Sequence, residues 1–167
     1  MTKNIDQQID ETLQSLSDSQ KEVALSALKA IQNAKKAYKH PFNSLCNIKR
    51  KVAEKGKATA TLQVAPHLNN SINILHGGAA FTLADAATGM AAFSVLDHAS
   101  GEDCVTQDLH YRFLRPVVDG TVIAEGTVVR KGRNTIVVEA KMYVEDKLIG
   151  IADGTYFIIR PAPSGQS

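Results

Sequence analysis

The sequence predicts an α+β fold: a curved antiparallel sheet of about six strands wrapped around one long central helix, with an N-terminal helical extension. Three observations predict it. Apolar residues in the first 40 positions recur at helical spacing, whereas from residue 58 onward the period falls to two in most segments. Between the β-rich regions lies one stretch of different character, "NILHGGAAFTLADAATGMAAF" (residues 73–93). From Gly77 to Leu96 its only formal charge is Asp85. A helix apolar on most of its circumference is covered on most sides, and one such helix among about six strands must lie across a single curled sheet.

The elements follow in order. Ile9, Leu13 and Leu16 share one helical face, and "SDSQKE" then interrupts. Ser19 with Glu22 has the form of a capping box that starts a second helix, carrying Val23, Ala27, Leu28, Ile31, Ala34 and Tyr38. "KHPFNS" (39–44) ends it, because the residue before proline is pushed out of the helical region. A strand at about Leu45–Val52 pairs through the turn at Glu54–Gly56 with a second, in which Ala58, Ala60, Leu62 and Val64 alternate with polar residues. The central helix follows, its many alanines letting strands approach closely. Four β-rich segments come next: Val105–Leu114, Val122–Arg130, Thr135–Glu145 and Leu148–Ile159. The short links "VVDG", "KGRN" and "EDK" predict a four-strand meander of hairpins.

Length and composition bound the function. A chain of 167 residues with 44% hydrophobic and 22% charged residues is expected to form one soluble domain, here 41–160, with a helical extension at 1–40 and a flexible tail at 161–167. The apolar run Ala86–Leu96 is far too short to span a membrane, and the polar, acidic start does not resemble a signal peptide. Two cysteines, Cys46 and Cys104, lack metal-ligand spacing and suit a reducing cytoplasm, so no metal or other cofactor is expected. Residues 1–57 carry eleven Lys/Arg against six Asp/Glu, and the rest carry eight against eleven. That basic excess reads as a solvated face, since no nucleic-acid-binding motif accompanies it.

Asp85 carries the chemical question. Positions 81, 82, 88 and 89, one helical turn away, are Phe, Thr, Thr and Gly, so no local cation neutralises it. A buried ionised carboxylate must be protonated, paired from elsewhere or placed beside a wet cleft. "HGG" (76–78) stands just before the helix, where amide N–H groups lack intrahelical partners and the dipole favours negative charge. Free N–H groups and a carboxylate are the parts needed to polarise a carbonyl and direct water at it.

The spaced combination of Asn70, His76-Gly77-Gly78, Thr82-Leu83-Ala84-Asp85 and Asp108-Leu109 through Phe113-Leu114-Arg115-Pro116 resembles the hotdog-fold acyl-CoA thioesterases of the PaaI (phenylacetate-degradation) type. The resemblance covers about residues 42–159 and leaves the first 40 outside. It implies hydrolysis of an acyl-CoA, with the Gly77 N–H polarising the thioester carbonyl and Asn70 assisting that or holding water. Asp85 would act as general base or nucleophile, and Thr106 would orient water. His76 is expected to fix the loop more than to transfer protons, and Asp108 to be structural.

Gly77 and Asp85 are eight residues apart, about 12 Å along a helix, whereas reacting groups must lie within about 3 Å. A homodimer or homotetramer with sites at the interface is therefore expected. The phosphates of coenzyme A have candidate cations in Arg112, Arg115, Arg130, Lys131 and Arg133, with the "RKGRN" turn favoured. Phe81, Met90 and Phe93 are candidates for an acyl pocket. A non-catalytic acyl-CoA sensor or a hotdog dehydratase is the alternative. Against the latter, no H-F-P-G-type segment precedes the helix and no Glu lies on it. No G-x-S-x-G elbow offers a nucleophilic serine.

Overall fold

Both N-terminal helices begin with a capping box, which fixes their starts. The computed structural model describes residues 4–34 and 41–161; Tyr38 and positions 162–167 of the expected tail lie outside the described residues. Helix α1 (Ile5–Ser15) opens with the reciprocal Asn4–Gln7 pair, and α2 (Asp18–Asn33) with Ser17–Gln20. The cap is thus Ser17 and not Ser19. Both serines have a glutamine or glutamate three residues on, but capping at Ser17 adds two helical residues and puts Asp18 in the first turn, where the dipole favours it.

Leu45 is not in a strand. Pro41 starts a short helix, α3 (Pro41–Leu45), as suits proline at a first helical position. Strand β1 (Ile48–Glu54) begins only after Asn47 turns the chain with φ 53°. It pairs antiparallel with β2 (Lys57–Gln63), whose apolar alternate residues Ala58, Ala60 and Leu62 are buried. A 3-10 turn (Pro66–Leu68) and an Asn69–Leu75 bridge then lead into the long helix α4 (Gly77–Phe93).

The remaining strands are β3 (Asp103–Phe113), β4 (Thr121–Lys131), β5 (Thr135–Val144) and β6 (Lys147–Ile159). All six join one antiparallel sheet in the order β1-β2-β4-β5-β6-β3. The expected meander holds for β4, β5 and β6, but β3 is not hairpin-paired with β4. It lies on the far edge, against β6. The link from Leu114 to Gly120 is a crossover and not a tight turn. Its start is held by Leu114 and Arg115 N–H groups on Ile149 O, its middle by Leu75 N–H on Val117 O at 2.8 Å, and its end by Val64 N–H on Gly120 O. Val117 is buried, so this segment closes one end of the core.

The sheet wraps α4, which contacts every strand. Nine of its residues are buried, seven of them small or compact: Ala79, Ala80, Ala84, Ala86, Ala87, Ala91 and Ala92, beside Leu83 and Thr88. The approach is closest at Gly126 of β4, where a Cβ would lie 2.6 Å from the main-chain oxygen of Ala87. Only glycine fits there. One stripe of α4 stays uncovered, with Phe81 and Phe93 at 39% and 43% exposure and Asp85 half-buried between them. Helix α2 packs on α3 and the 3-10 turn, where His67 Nε2 donates to Leu45 O and its Nδ1 pairs with Ser26 Oγ, each at 2.8 Å.

Candidate active site

His76 is the N-cap of α4. Its backbone is extended and its Nδ1 accepts the Gly78 N–H at 2.9 Å, which ties the ring to the start of the helix. The Ala79 and Ala80 N–H groups bond to His76 O. That leaves the Gly77 N–H, for which the described residues supply no acceptor. Gly77 borders a cleft of about 430 Å³ with Asn70, Tyr111, Phe113, Arg115 and Ile149. A Cβ on Gly77 would lie 3.2 Å from Cζ of Phe113, so glycine also admits this ring.

Asn70 makes an Asx-type turn. Its Oδ1 accepts the N–H groups of Ile72 (3.0 Å) and Ile74 (3.3 Å), which commits that oxygen to the loop. The carboxamide nitrogen, a donor only, is the end without a described partner. Arg115 borders the same cleft and donates Nη1 to Leu148 O.

Asp85 borders a different cleft, of about 500 Å³, with Asn43, Arg50, Met90, Phe93 and Thr106. No ion pair to Asp85 occurs among the described residues. Its partners are hydroxyls: Thr106 Oγ1 donates to Oδ1 at 2.8 Å and the Tyr156 hydroxyl donates to the same oxygen at 3.0 Å. The sequence pattern shows a carboxylate without a local cation; the structure supplies two donors from the sheet and a half-open setting. Met90 and Phe93 line this cleft, whereas Phe81 is not among its lining residues and is 39% exposed. Cys104 also borders it, but burial, with the Asp103 and Asp85 charges, pushes its thiol up to about 11. A thiol so little ionised is a poor nucleophile.

The cations of the "RKGRN" turn differ in their surroundings. Lys131 Nζ is bonded to Val95 O at 3.0 Å and Glu102 Oε2 at 2.9 Å, near the C-terminal end of α4. Arg160 donates to Glu102 Oε1 at 3.0 Å and to Arg133 O. Arg130 is exposed at a β-bulge that follows Val128. Asp108 is surface-exposed, 4.0 Å from His110 Nε2.

The structure thus brings Asp85 and Thr106 together, and separately Asn70, Gly77 and Arg115, whereas His76 borders a third cleft with His67 and Gly78. Sequence reasoning missed Tyr156, Asn43 and Arg50. Tyr156 meets Asp85 only because β6 pairs with β3, which places it directly opposite Thr106. The one available signal was that a tyrosine in an apolar strand needs a partner for its hydroxyl.

One helix inside a curled six-stranded antiparallel sheet defines a hotdog-fold protein. The chain belongs to the thioesterase superfamily, whose family model matches residues 72–151. A Saccharolobus solfataricus protein named as a candidate esterase is 34% identical over 134 residues, 80% of this chain and 93% of that one. A Bacillus halodurans protein whose crystal structure was solved with CoA superposes with TM-score 0.74 at 28% identity, covering 90% of this chain and 99% of that chain. The Escherichia coli PaaI protein, from the phenylacetic acid degradation operon, gives TM-score 0.66 at 28% identity over 80% and 96%. No helix among the described residues is long and apolar enough to cross a membrane.

Proposed function

We propose that this protein is an acyl-CoA thioesterase whose working site is completed by two copies of the chain. Superfamily membership and the esterase-named relative support thioester hydrolysis in general, and the CoA in the Bacillus halodurans structure supports coenzyme A as the thiol portion. The observation that carries the reading is a separation. The Gly77 N–H, without an acceptor among the described residues, and the Asp85 carboxylate border two clefts that share no lining residue among those described.

Strand β3 joins the halves. Thr106 near its start borders the Asp85 cleft, and Tyr111 and Phe113 at its end border the Gly77 cleft. It is also an edge strand with Val105 and Phe113 exposed, the kind of edge that pairs with another chain. Antiparallel pairing of β3 with a second β3, centred near Leu109 and His110, sets each Thr106 end beside the other copy's Phe113 end. A two-fold dimer then makes two sites, each from one Gly77 and one Asp85.

In such a site the Gly77 N–H, with the Asn70 carboxamide nitrogen beside it, donates to the thioester oxygen as negative charge develops there. Asp85 takes a proton from water as the water oxygen bonds to the carbonyl carbon. The tetrahedral adduct collapses, the C–S bond breaks, and the thiolate leaves with the proton that Asp85 returns. Direct attack by Asp85, giving an anhydride that water cleaves, uses the same groups. Arg115 borders the Gly77 cleft and Arg50 the Asp85 cleft, which makes them candidate cations for the phosphates.

A panel of short-chain, long-chain and aromatic acyl-CoAs, followed by thiol release, tests the reading. Release from at least one is expected. Folded protein that binds acyl-CoA and hydrolyses none would instead be a sensor.

A further inference from the structure

Tyr156 is 3% exposed and sits in a cluster with Ile136, Val138 and Ile158, where a phenylalanine would fill the same space. A hydroxyl in such surroundings costs free energy unless it is bonded. This one has three neighbours: Thr88 Oγ1 at 2.8 Å, Asp85 Oδ1 at 3.0 Å and Asp85 O at 3.1 Å. Thr88 has an outlet for its own proton in Ala84 O, one turn back at 2.8 Å. The single proton of Tyr156 therefore goes best to the charged acceptor. Burial, and then the Asp85 charge, push the phenol well above its ordinary range, so it stays a donor at neutral pH.

The backbone is arranged for this contact. Thr106 and Tyr156 are cross-strand partners, and partners of that kind project to one face of the sheet. Here both hydroxyls reach α4 and meet on Oδ1. Gly89, one turn beyond Asp85, leaves the room: a Cβ there would lie 3.3 Å from the Tyr156 hydroxyl oxygen.

We infer that Tyr156 is a positioning residue for Asp85: with Thr106 it pins Oδ1, fixes the side-chain rotation, and leaves Oδ2 as the oxygen that handles water or carbonyl carbon. Among the described residues nothing donates to Oδ2. This inference rests on the thioesterase reading for its kinetic consequence, but the two-hydroxyl grip can be tested without substrate.

The test is Tyr156→Phe in the full chain, with Gly89→Ala as a second variant that displaces the hydroxyl without deleting it. Thr88 keeps Ala84 O in both, so folding is retained. The first readout is the 13C signal of the Asp85 carboxyl at pH 8, assigned with Asp85→Asn. It should shift in Tyr156→Phe, and in the same direction but less in Gly89→Ala. The second is steady-state kinetics, where losing a hydrogen bond to a charged group should lower kcat about tenfold while KM stays within about twofold. An unmoved carboxyl signal overturns the inference, as does a shifted signal with unchanged kcat. A shifted signal in a protein that hydrolyses no acyl-CoA keeps the grip on Asp85 and overturns the thioesterase reading instead. Unchanged kcat and carboxyl signal with a lower melting temperature would make Tyr156 a core residue only.

Discussion

Thr106 Oγ1 donates to Asp85 Oδ1 at 2.8 Å, so the carboxylate of α4 is held by the edge strand and not by a cation. That strand also leads to the Gly77 cleft, which ties the proposed chemistry to the assembly of the protein.

A shared site has an arithmetic signature. Gly77→Pro removes the polarising N–H at a first helical position, where proline is favoured although its Cβ presses on the Phe113 ring; with folding verified, it should cost about 10²–10³ in rate. Asp85→Asn should be similarly inactive. When the two inactive variants are co-refolded, half of the dimers are mixed, and each mixed dimer has one site with both substitutions and one with neither. Activity should recover to about a quarter of wild type. No recovery, with mixed dimers verified by differential tags, would place both groups in one chain.

Asp85→Asn also separates chemistry from stability. Both hydroxyls can still donate to the amide oxygen, and no partner cation is stranded, so stability should change by less than about 1 kcal/mol. Turnover should fall by about 10²–10⁴, because an amide cannot accept the proton from water at neutral pH. A destabilised but active variant would make the carboxylate structural.

Glu102 makes the fold acid-sensitive. Its carboxylate accepts the Asp97 N–H and then Lys131 and Arg160, which together pull it from 4.5 to about 2. A depressed value means that folding favours the ionised form. The contribution is complete above pH 4.5 and is lost as pH falls toward 2. Glu102→Gln should therefore lower the melting temperature at pH 7 and flatten its decline in acid. Parallel acid profiles for variant and wild type would show that the cluster contributes nothing.

Gly126→Ala tests how tightly the sheet grips the helix. The added methyl meets the Ala87 carbonyl, which is backbone and cannot rotate away. Overpacking of this kind costs about 1–3 kcal/mol, and chemical denaturation should show it. A neutral change would mean that β4 stands off from α4.

Local pattern was enough for much of this molecule. The period changes from helical to two at the right places, alanines mark the wrapped helix, and the spacing of Asn70, His76-Gly77-Gly78 and Asp85 singles out the candidate groups. Helix ends were less legible, because Ser17 and Ser19 offer equivalent caps and only the whole helix decides between them. Strand partners were less legible still. The link after β3 reads as a turn, yet β3 crosses to the β6 edge, because pairing is a contest between distant segments that periodicity along one segment does not encode. From that pairing follow the placement of Tyr156 opposite Thr106, the hydroxyl grip on Asp85, and the two separate clefts. The sequence by itself determined the element types and named the candidate residues; only the tertiary structure decided what holds them, since a hydrogen-bond partner 71 residues away is chosen by sheet register.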